Sequence, residues 1–265
     1  MRLTDEFGTA DRLPPKPYVR EGLRLEAMHM LREQDIRAET REPKWAKVMP
    51  PDSAFAFQFN IDFHPTRRKF LTADSIGPWH YIHTESRGWP TDTDRAVFPL
   101  RGLVPVEMDG LLGAGKNIGV SSVVQSALRL HGQMMHVGQA AATLAWMSLR
   151  DRKKPRQIVT DTAKVRELQL KLVRGHGGPG VLLWPWQDLE PDDAHFEAVN
   201  MLCVHGIWKP QPDDVFFHAE QVITQTELAA LLDNMTGKDA AGTSNEPADW
   251  AWLHARLQER KLPAA

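Results

Sequence analysis

The chain has 265 residues, a formal net charge of -2 and a 42% hydrophobic share, with no apolar run of about eighteen residues. This predicts a globular protein with one or two cores and excludes a transmembrane helix. Near-neutral charge with dispersed basic residues excludes an electrostatic footprint for nucleic acid. The single cysteine, Cys203, excludes an internal disulfide and any multi-cysteine metal site, and its apolar helical setting predicts a buried, inert thiol.

The opening stretch MRLTDEFGTADRLPPKP puts acids and prolines where a signal peptide needs an apolar block. A cytoplasmic address is expected, unless the natural amino terminus lies upstream, which would reopen secretion. Residues 1–20 read like the interior of a longer protein. LRLEAMHMLREQDI, next, reads as strand and turn. FAFQFNIDFHP alternates Phe55, Phe57, Phe59, Ile61 and Phe63 against Ala56, Gln58, Asn60, Asp62 and His64, a period-two strand ended by Pro65. IGPWHYIHTESRGWP, rich in aromatics and histidines, reads as strands or loops beside it. AVFPLRGLVPVEMDGLLGAGKNIG breaks into short extended pieces at Pro99, Pro105 and the Asp109-Gly110 turn.

Within that run, Gly113-x-Gly115-x-x-x-Gly119 has the glycines of a phosphate-binding turn. A dinucleotide fingerprint is followed at once by a helix and then by a strand ending in an acid. Here VSSVVQSA is read as a non-helical spacer before a long helix with Arg129 at its start, so the turn is not the first of a dinucleotide fold. That helix, SALRLHGQMMHVGQAAATLAWMSLRDRK, has small residues at Gly138 and Ala140 to Ala142 for close packing. TDTAKVRELQLKLVRG is an amphipathic helix with Asp161 or Thr162 as cap, ending at Gly175. Gly175-x-Gly177-x-x-Gly180 satisfies G-x-G-x-x-G literally, but a helix precedes it, Pro179 lies inside it and the strand-like VLLW follows. It is a helix-to-strand loop. Farther on, Phe196, Val199, Leu202 and Cys203 mark a helix stopped by Gly206, and Thr224-x-x-Glu227 is a capping box for the next. GKDAAGTSNEPADW reads as a linker, and ADWAWLHARLQERK as a last helix whose Trp250 and Trp252 pack on the body.

The segment LRGLVPVEMDGLLGAGKNIGVSSVVQSALRLHGQMMHVGQAAATLA resembles the carboxyl-terminal cofactor segment of FAD-dependent oxidoreductases of the glutathione-reductase-like flavoprotein superfamily. The match is carried by Leu100, Arg101, Leu103 to Pro105, Leu111, Leu112, Ala114 to Lys116, Arg129 and Gly138 to Ala141. Weaker motifs lie at Arg20 to Ile36 and Ile61 to Pro65, so the resemblance spans most of residues 20–150. About fifty residues from Trp184 resemble one surface-layer-homology-type repeat.

The resemblance implies FAD as cofactor. Ala114, Gly115, Lys116, Asn117, Gly119 and Ser121 would line it, with Gly115 and Gly119 admitting the ring edge and Lys116 and Asn117 bonding ribityl or phosphate oxygens. Arg129, Gly132, Gln133 and Met134 would present a helix amino end to the charge a reduced flavin develops. His64, with Asp62 on its strand face, is the expected proton-transfer group, and Arg101 and Arg129 would bind a substrate carboxylate or balance the reduced flavin. The other histidines, His80 and His83 on the substrate side and His131 and His136 on the helix, are not read as metal ligands, and no metal is expected.

The implied fold is α+β, an incomplete two-domain flavoprotein with a small helical carboxyl-terminal module. Residues 1–100 would form the substrate-side sheet, 101–154 the flavin strand, glycine turn and helix, 155–235 the module, and 236–265 a linker and terminal helix. The βαβ unit that holds the FAD pyrophosphate is missing. Expected partners are a small-molecule substrate and a separate nucleotide-binding chain or a second copy, with no nucleic acid and no membrane. The expected activity is hydride transfer between an organic substrate and flavin. The alternative is a non-catalytic interaction or cell-wall-binding protein built on a flavoprotein relic.

Overall fold

The computed structural model describes residues 22–40, 42, 44–62, 66–70, 79–83, 92–211, 213–236, 246–248 and 255, with backbone alone for 66–70 and 79–83. These form an α+β arrangement whose sheets are both two-stranded and antiparallel. Strand β1 (Ser53–Phe57) pairs with β4 (Ala96–Pro99), and β2 (Thr66–Phe70) with β3 (Trp79–His83).

β1 and β4 are covered on both faces: Ala54, Phe55, Phe57, Ala96, Val97 and Phe98 are all buried. Phe55 stacks on Phe98 across the pair, ring centroids 5.3 Å apart. The expected ten-residue strand stops at Phe57. Side-chain bonds replace the ladder there: Gln58 Nε2 donates to the Thr93 carbonyl, and Thr93 Oγ1 to the Phe59 carbonyl. Alternation then fails for Phe59, which is 40% exposed, and holds for Ile61, which is buried. In the first described stretch the short helix α1 (Glu33–Ile36) replaces part of the expected strand and turn, while Ala27 and Leu31 form single β-bridges to Pro105 and Val120.

The supposed spacer VSSVVQSA is mostly helical. Helix α2 (Ser122–Leu128) begins directly after the glycine turn, capped by Ser121 Oγ, which accepts from the Val124 N–H. Val123 and Val124 are weak helix formers, but Val124, Ala127 and Leu128 are buried, and packing overrides propensity. The single long helix that was expected is two. Arg129 (φ -80, ψ 10) and the extended Leu130 (ψ 153) break the chain before α3 (His131–Asp151). Arg129 therefore sits in the joint.

α3 packs Val137, Ala140, Ala141, Leu144 and Met147 into the core. After α4 (Pro155–Val159), Asp161 caps α5 (Thr162–Arg174) by accepting from Ala163 and Lys164 N–H. Gly175 ends α5 at φ +62, where a Cβ would lie 2.3 Å from the Gly178 carbonyl oxygen. The strand-like VLLW joins no ladder among the described residues. Asn200 of α6 (Phe196–Val204) pins it, its Oδ1 accepting from the Leu183 and Trp184 N–H groups. Gly206, at φ +68, follows α6 as expected. Thr224 and Glu227 form the expected capping box before α7 (Gln225–Thr236).

One hydrophobic cluster runs from Leu31 through β1, β4 and α2 to α6 and Val215. An aromatic chain adds to it: Trp45 meets Trp184 and Trp186, and Trp186 meets Trp208 and Phe217, at centroid distances of 5.1 to 6.0 Å. Residues 155–215 thus share a core with β1 and α3. The linker and terminal helix, with Trp250 and Trp252, lie outside the described residues. Among the described residues no helix is long and apolar enough to cross a membrane.

Candidate functional site

Three stretches that carry the sequence motifs interlock. Met28 N–H donates to Val104 O and Val106 N–H to Glu26 O; Gly119 N–H donates to Gly102 O; Leu31 N–H donates to Gly119 O, and Ser121 N–H to Leu31 O. The packing is so close that only glycine fits at two points. A Cβ on Gly119 would lie 2.3 Å from the His29 carbonyl oxygen and 2.5 Å from Ala27 Cβ, and one on Gly102 would lie 2.5 Å from the Phe98 ring.

Between these anchors the turn bulges outward. Ala114 and Asn117 are exposed, Gly115 and Lys116 are half-buried, and Ile118 is fully buried below them. Around Gly115 the space is open, its nearest neighbour being Asn117 Oδ1 at 3.9 Å. The two glycines thus differ: Gly119 faces its own chain and Gly115 faces outward.

Beyond the turn, Arg129 fills the α2–α3 joint with its side chain 5% exposed. Its Nη2 donates to the Asp62 carbonyl at 2.5 Å and lies 3.4 Å from Asp62 Oδ2. Asp62, read as sharing the strand face of His64, and Arg129, read as part of the flavin helix, are in contact. α3 starts without a side-chain cap; His131 and Gly132 are exposed there, and a Cβ on Gly132 would meet nothing within 4 Å. Gln133 and Met134 are half-buried, and Gln133 Oε1 is a buried acceptor without a donor among the described residues. Gln125 of α2, fully buried, has neither end of its amide bonded among them. His136 stacks near Phe55, centroids 5.8 Å apart, and burial holds its pKa below the ordinary histidine value.

Arg101 belongs to a different constellation. Its guanidinium makes two 2.9 Å bonds to the carboxylate of Asp52, which also accepts from the Arg101 backbone N–H. This bidentate pairing raises the Arg101 pKa. His29 lies within the field of both: burial first, then the Arg101 charge, pull its pKa down, while Asp52 opposes them. Neither Asp52 nor His29 was singled out from sequence. Asp52 comes from an ordinary Pro-Pro-Asp-Ser turn 49 residues before its partner, and no local pattern marks such a pair. His64 lies outside the described residues, and so do the side chains of His80 and His83. No group of three or more His, Cys, Asp or Glu side chains able to hold a metal occurs among the described residues.

A family model described as FAD dependent oxidoreductase matches residues 3–172. No curated protein and no solved structure matches the chain. The residues present fit the ring end of such a cofactor. An outward-facing glycine turn and an uncapped helix amino end beside a buried arginine supply donors and room for a polar planar edge. For the pyrophosphate end there is no parallel sheet with a glycine turn among the described residues.

Proposed function

The chain belongs to the FAD-dependent oxidoreductase family, whose cofactor is FAD, and we propose that it forms the ring-binding, substrate-facing part of a flavoenzyme of the glutathione-reductase-like type. When bound, FAD supplies the hydride-accepting chemistry. The chain's own residues hold and orient the ring, place the small organic substrate and move the proton.

The observation that carries this reading is the uncapped amino end of α3 beside buried Arg129. Its free N–H groups and dipole favour negative charge by about 1 kcal/mol, and charge on the ring edge is what flavin reduction develops. Ala114 to Asn117 and Ser121 line the ribityl side, with Gly115 admitting close approach. Gly132, Gln133 and Met134 form the lip of the ring site. Gly119 contributes through the fold, because its contacts are to His29 and Ala27. His64, two residues past the Asp62 that Arg129 grips, is the proton-transfer group. Arg101, set by Asp52, orients the substrate carboxylate with the part of its guanidinium left open.

The adenosine diphosphate half of FAD is then held by a nucleotide-binding unit outside these 265 residues. Helices α5 to α7 are a packing module of the surface-layer-homology type; the shared core through Val199, Cys203 and Val204 supports packing over detached wall binding.

A visible spectrum of the purified chain, mixed with FAD and desalted, tests the proposal. Retained flavin absorbance in the native chain that is lost in Arg129→Ala is the expected result. A chain that stays colourless with FAD even when its nucleotide-binding partner is supplied would overturn it.

A further inference from the structure

A cavity lies where the approach to β1 and the Arg101–Asp52 pair meet α4, α5 and the carboxyl end of α6. Its volume is about 500 Å³, within the range of pockets that take small organic ligands. Val159, Val165 and Val204 give it apolar walls.

Its polar groups are few and convergent. Arg166 lies on the wall, exposed, with no ion pair or hydrogen bond among the described residues. Arg101 on the same wall is held by Asp52 through two of its nitrogens, while Arg150 and Lys164 are paired with Asp151 and Glu167, and Arg174 with Glu197. The hydroxyl of Thr162, also on the wall, has no partner among the described residues either. Gln169 is fully buried; its Nε2 donates to the Pro51 and Ser53 carbonyls, which leaves Oε1 an acceptor without a donor. His205 has a buried Nε2 with no partner. Burial, and then the Arg166 charge, hold its ring below the ordinary histidine pKa and so neutral.

A fully buried glutamine oxygen left bare costs about 1 to 3 kcal/mol. Such an acceptor on the wall of a pocket with a free guanidinium is the polar arrangement of a ligand site. We propose that this cavity binds a small amphipathic carboxylate: its acid on Arg166 and Thr162, its apolar body against the valines, and a hydroxyl or amino donor toward Gln169 Oε1. Val204 ends α6 and His205 caps it, both beyond the family match at residues 3–172. The extension therefore closes the pocket and sets its selectivity. The cavity shares the Arg101–Asp52 pair with the proposed substrate side, but binding of the acid there requires no flavin.

Titration calorimetry on the full chain, with and without FAD, tests it with 4-hydroxybenzoate against the neutral 4-hydroxybenzyl alcohol. Expected are saturable one-to-one binding of the acid that FAD leaves unchanged, at least about tenfold weaker binding of the alcohol, and at least about tenfold weaker acid binding in Arg166→Gln. Arg166 is exposed, so this variant keeps the fold, and an unchanged melting temperature verifies that. His205→Phe, which fills the α6 wall, is expected to weaken the acid to a similar extent. No saturable binding of the acid, equal affinity for the alcohol, or an undiminished affinity in Arg166→Gln would each overturn the proposal. Loss of flavin retention in Arg129→Ala leaves this binding in place, so the two sites fail separately.

Discussion

Arg129 grips the backbone carbonyl of Asp62 across 67 residues of sequence, at 2.5 Å from Nη2, with the carboxylate oxygen 3.4 Å away. One arginine thereby fixes both the α2–α3 joint and the end of the segment that follows β1. Its removal leaves a bare carbonyl and a void in the joint. Arg129→Ala is expected to cost about 2 to 4 kcal/mol, read as a lower denaturation midpoint in urea. Arg129→Lys keeps the charge but loses the fork and recovers less than half of that.

Gly119 and Gly115 separate packing from ligand approach. Gly119→Ala forces a methyl against the His29 carbonyl oxygen at 2.3 Å and Ala27 Cβ at 2.5 Å. Both neighbours are held in the interlocked motif segments, so a loss of about 2 to 3 kcal/mol is expected. Gly115→Ala meets nothing closer than 3.9 Å and leaves the melting temperature within a degree or so, yet lowers FAD retention if the turn lies against the cofactor. Thermal melts and desalting spectra of both variants check this. A stable Gly119→Ala would contradict the packing.

These contrasts also mark what the sequence holds. Caps at Asp161 and Thr224, stops at Gly175 and Gly206, and the helical periodicity of α5 and α6 are local, and each is legible in a few residues. The end of β1 is not local: Thr93, 35 residues from Gln58, replaces the ladder with side-chain bonds. VSSVVQSA misleads because β-branched residues argue against a helix that the core nevertheless pays for by burying Val124 and Leu128. The Arg101–Asp52 pair and the cavity beside α6 arise from tertiary placement alone. The ring-side motif was legible as a resemblance, while His29 entered only through its contact with Gly119.

Asn200 is fully buried and spends its whole amide on the backbone. It accepts from Leu183 and Trp184 N–H and donates to the Phe196 carbonyl. Outside Asn200, the run is held by the Ala56 N–H on Leu182 O, the Ser53 hydroxyl on Leu183 O and its own Val181 N–H on Leu172 O. Asn200→Ala strands two buried N–H groups and is expected to lower stability by about 3 kcal/mol, with Asn200→Asp milder because the acceptor survives. A denaturant midpoint unchanged in Asn200→Ala would show that water replaces the amide there.

Cys203 is buried, and its thiol is pushed up to about 12 by burial. Thiolate is the reactive form, so the native chain at pH 8 is expected to react with an aromatic disulfide reagent at least about a hundredfold more slowly than the same chain in guanidinium. A stoichiometric burst from the native protein would place the thiol at the surface.

The histidines and Asp94 give stability a pH dependence with opposing signs. Burial lowers the pKa of His136, and burial is also the first cause for His29 and His205. Each is therefore neutral in the fold at a pH where the unfolded chain, with a value near 6.5, already binds a proton. Their stabilisation is complete above about pH 6.5 and is lost as pH falls through that value toward the lower folded one. Asp94 runs the other way, because burial raises its carboxyl above the ordinary carboxylate range. Its folded form holds a proton the unfolded chain has released, so its contribution is present at low pH and fades as pH rises past the folded value. Three groups against one make the histidines dominate between pH 5 and 7. Urea midpoints measured across that window are expected to fall as the solution is acidified, and His136→Phe, which keeps the ring contact with Phe55, to flatten the slope by roughly one proton's share. A midpoint that rises on acidification from pH 7 to 5 would mean that the histidines are charged in the folded chain.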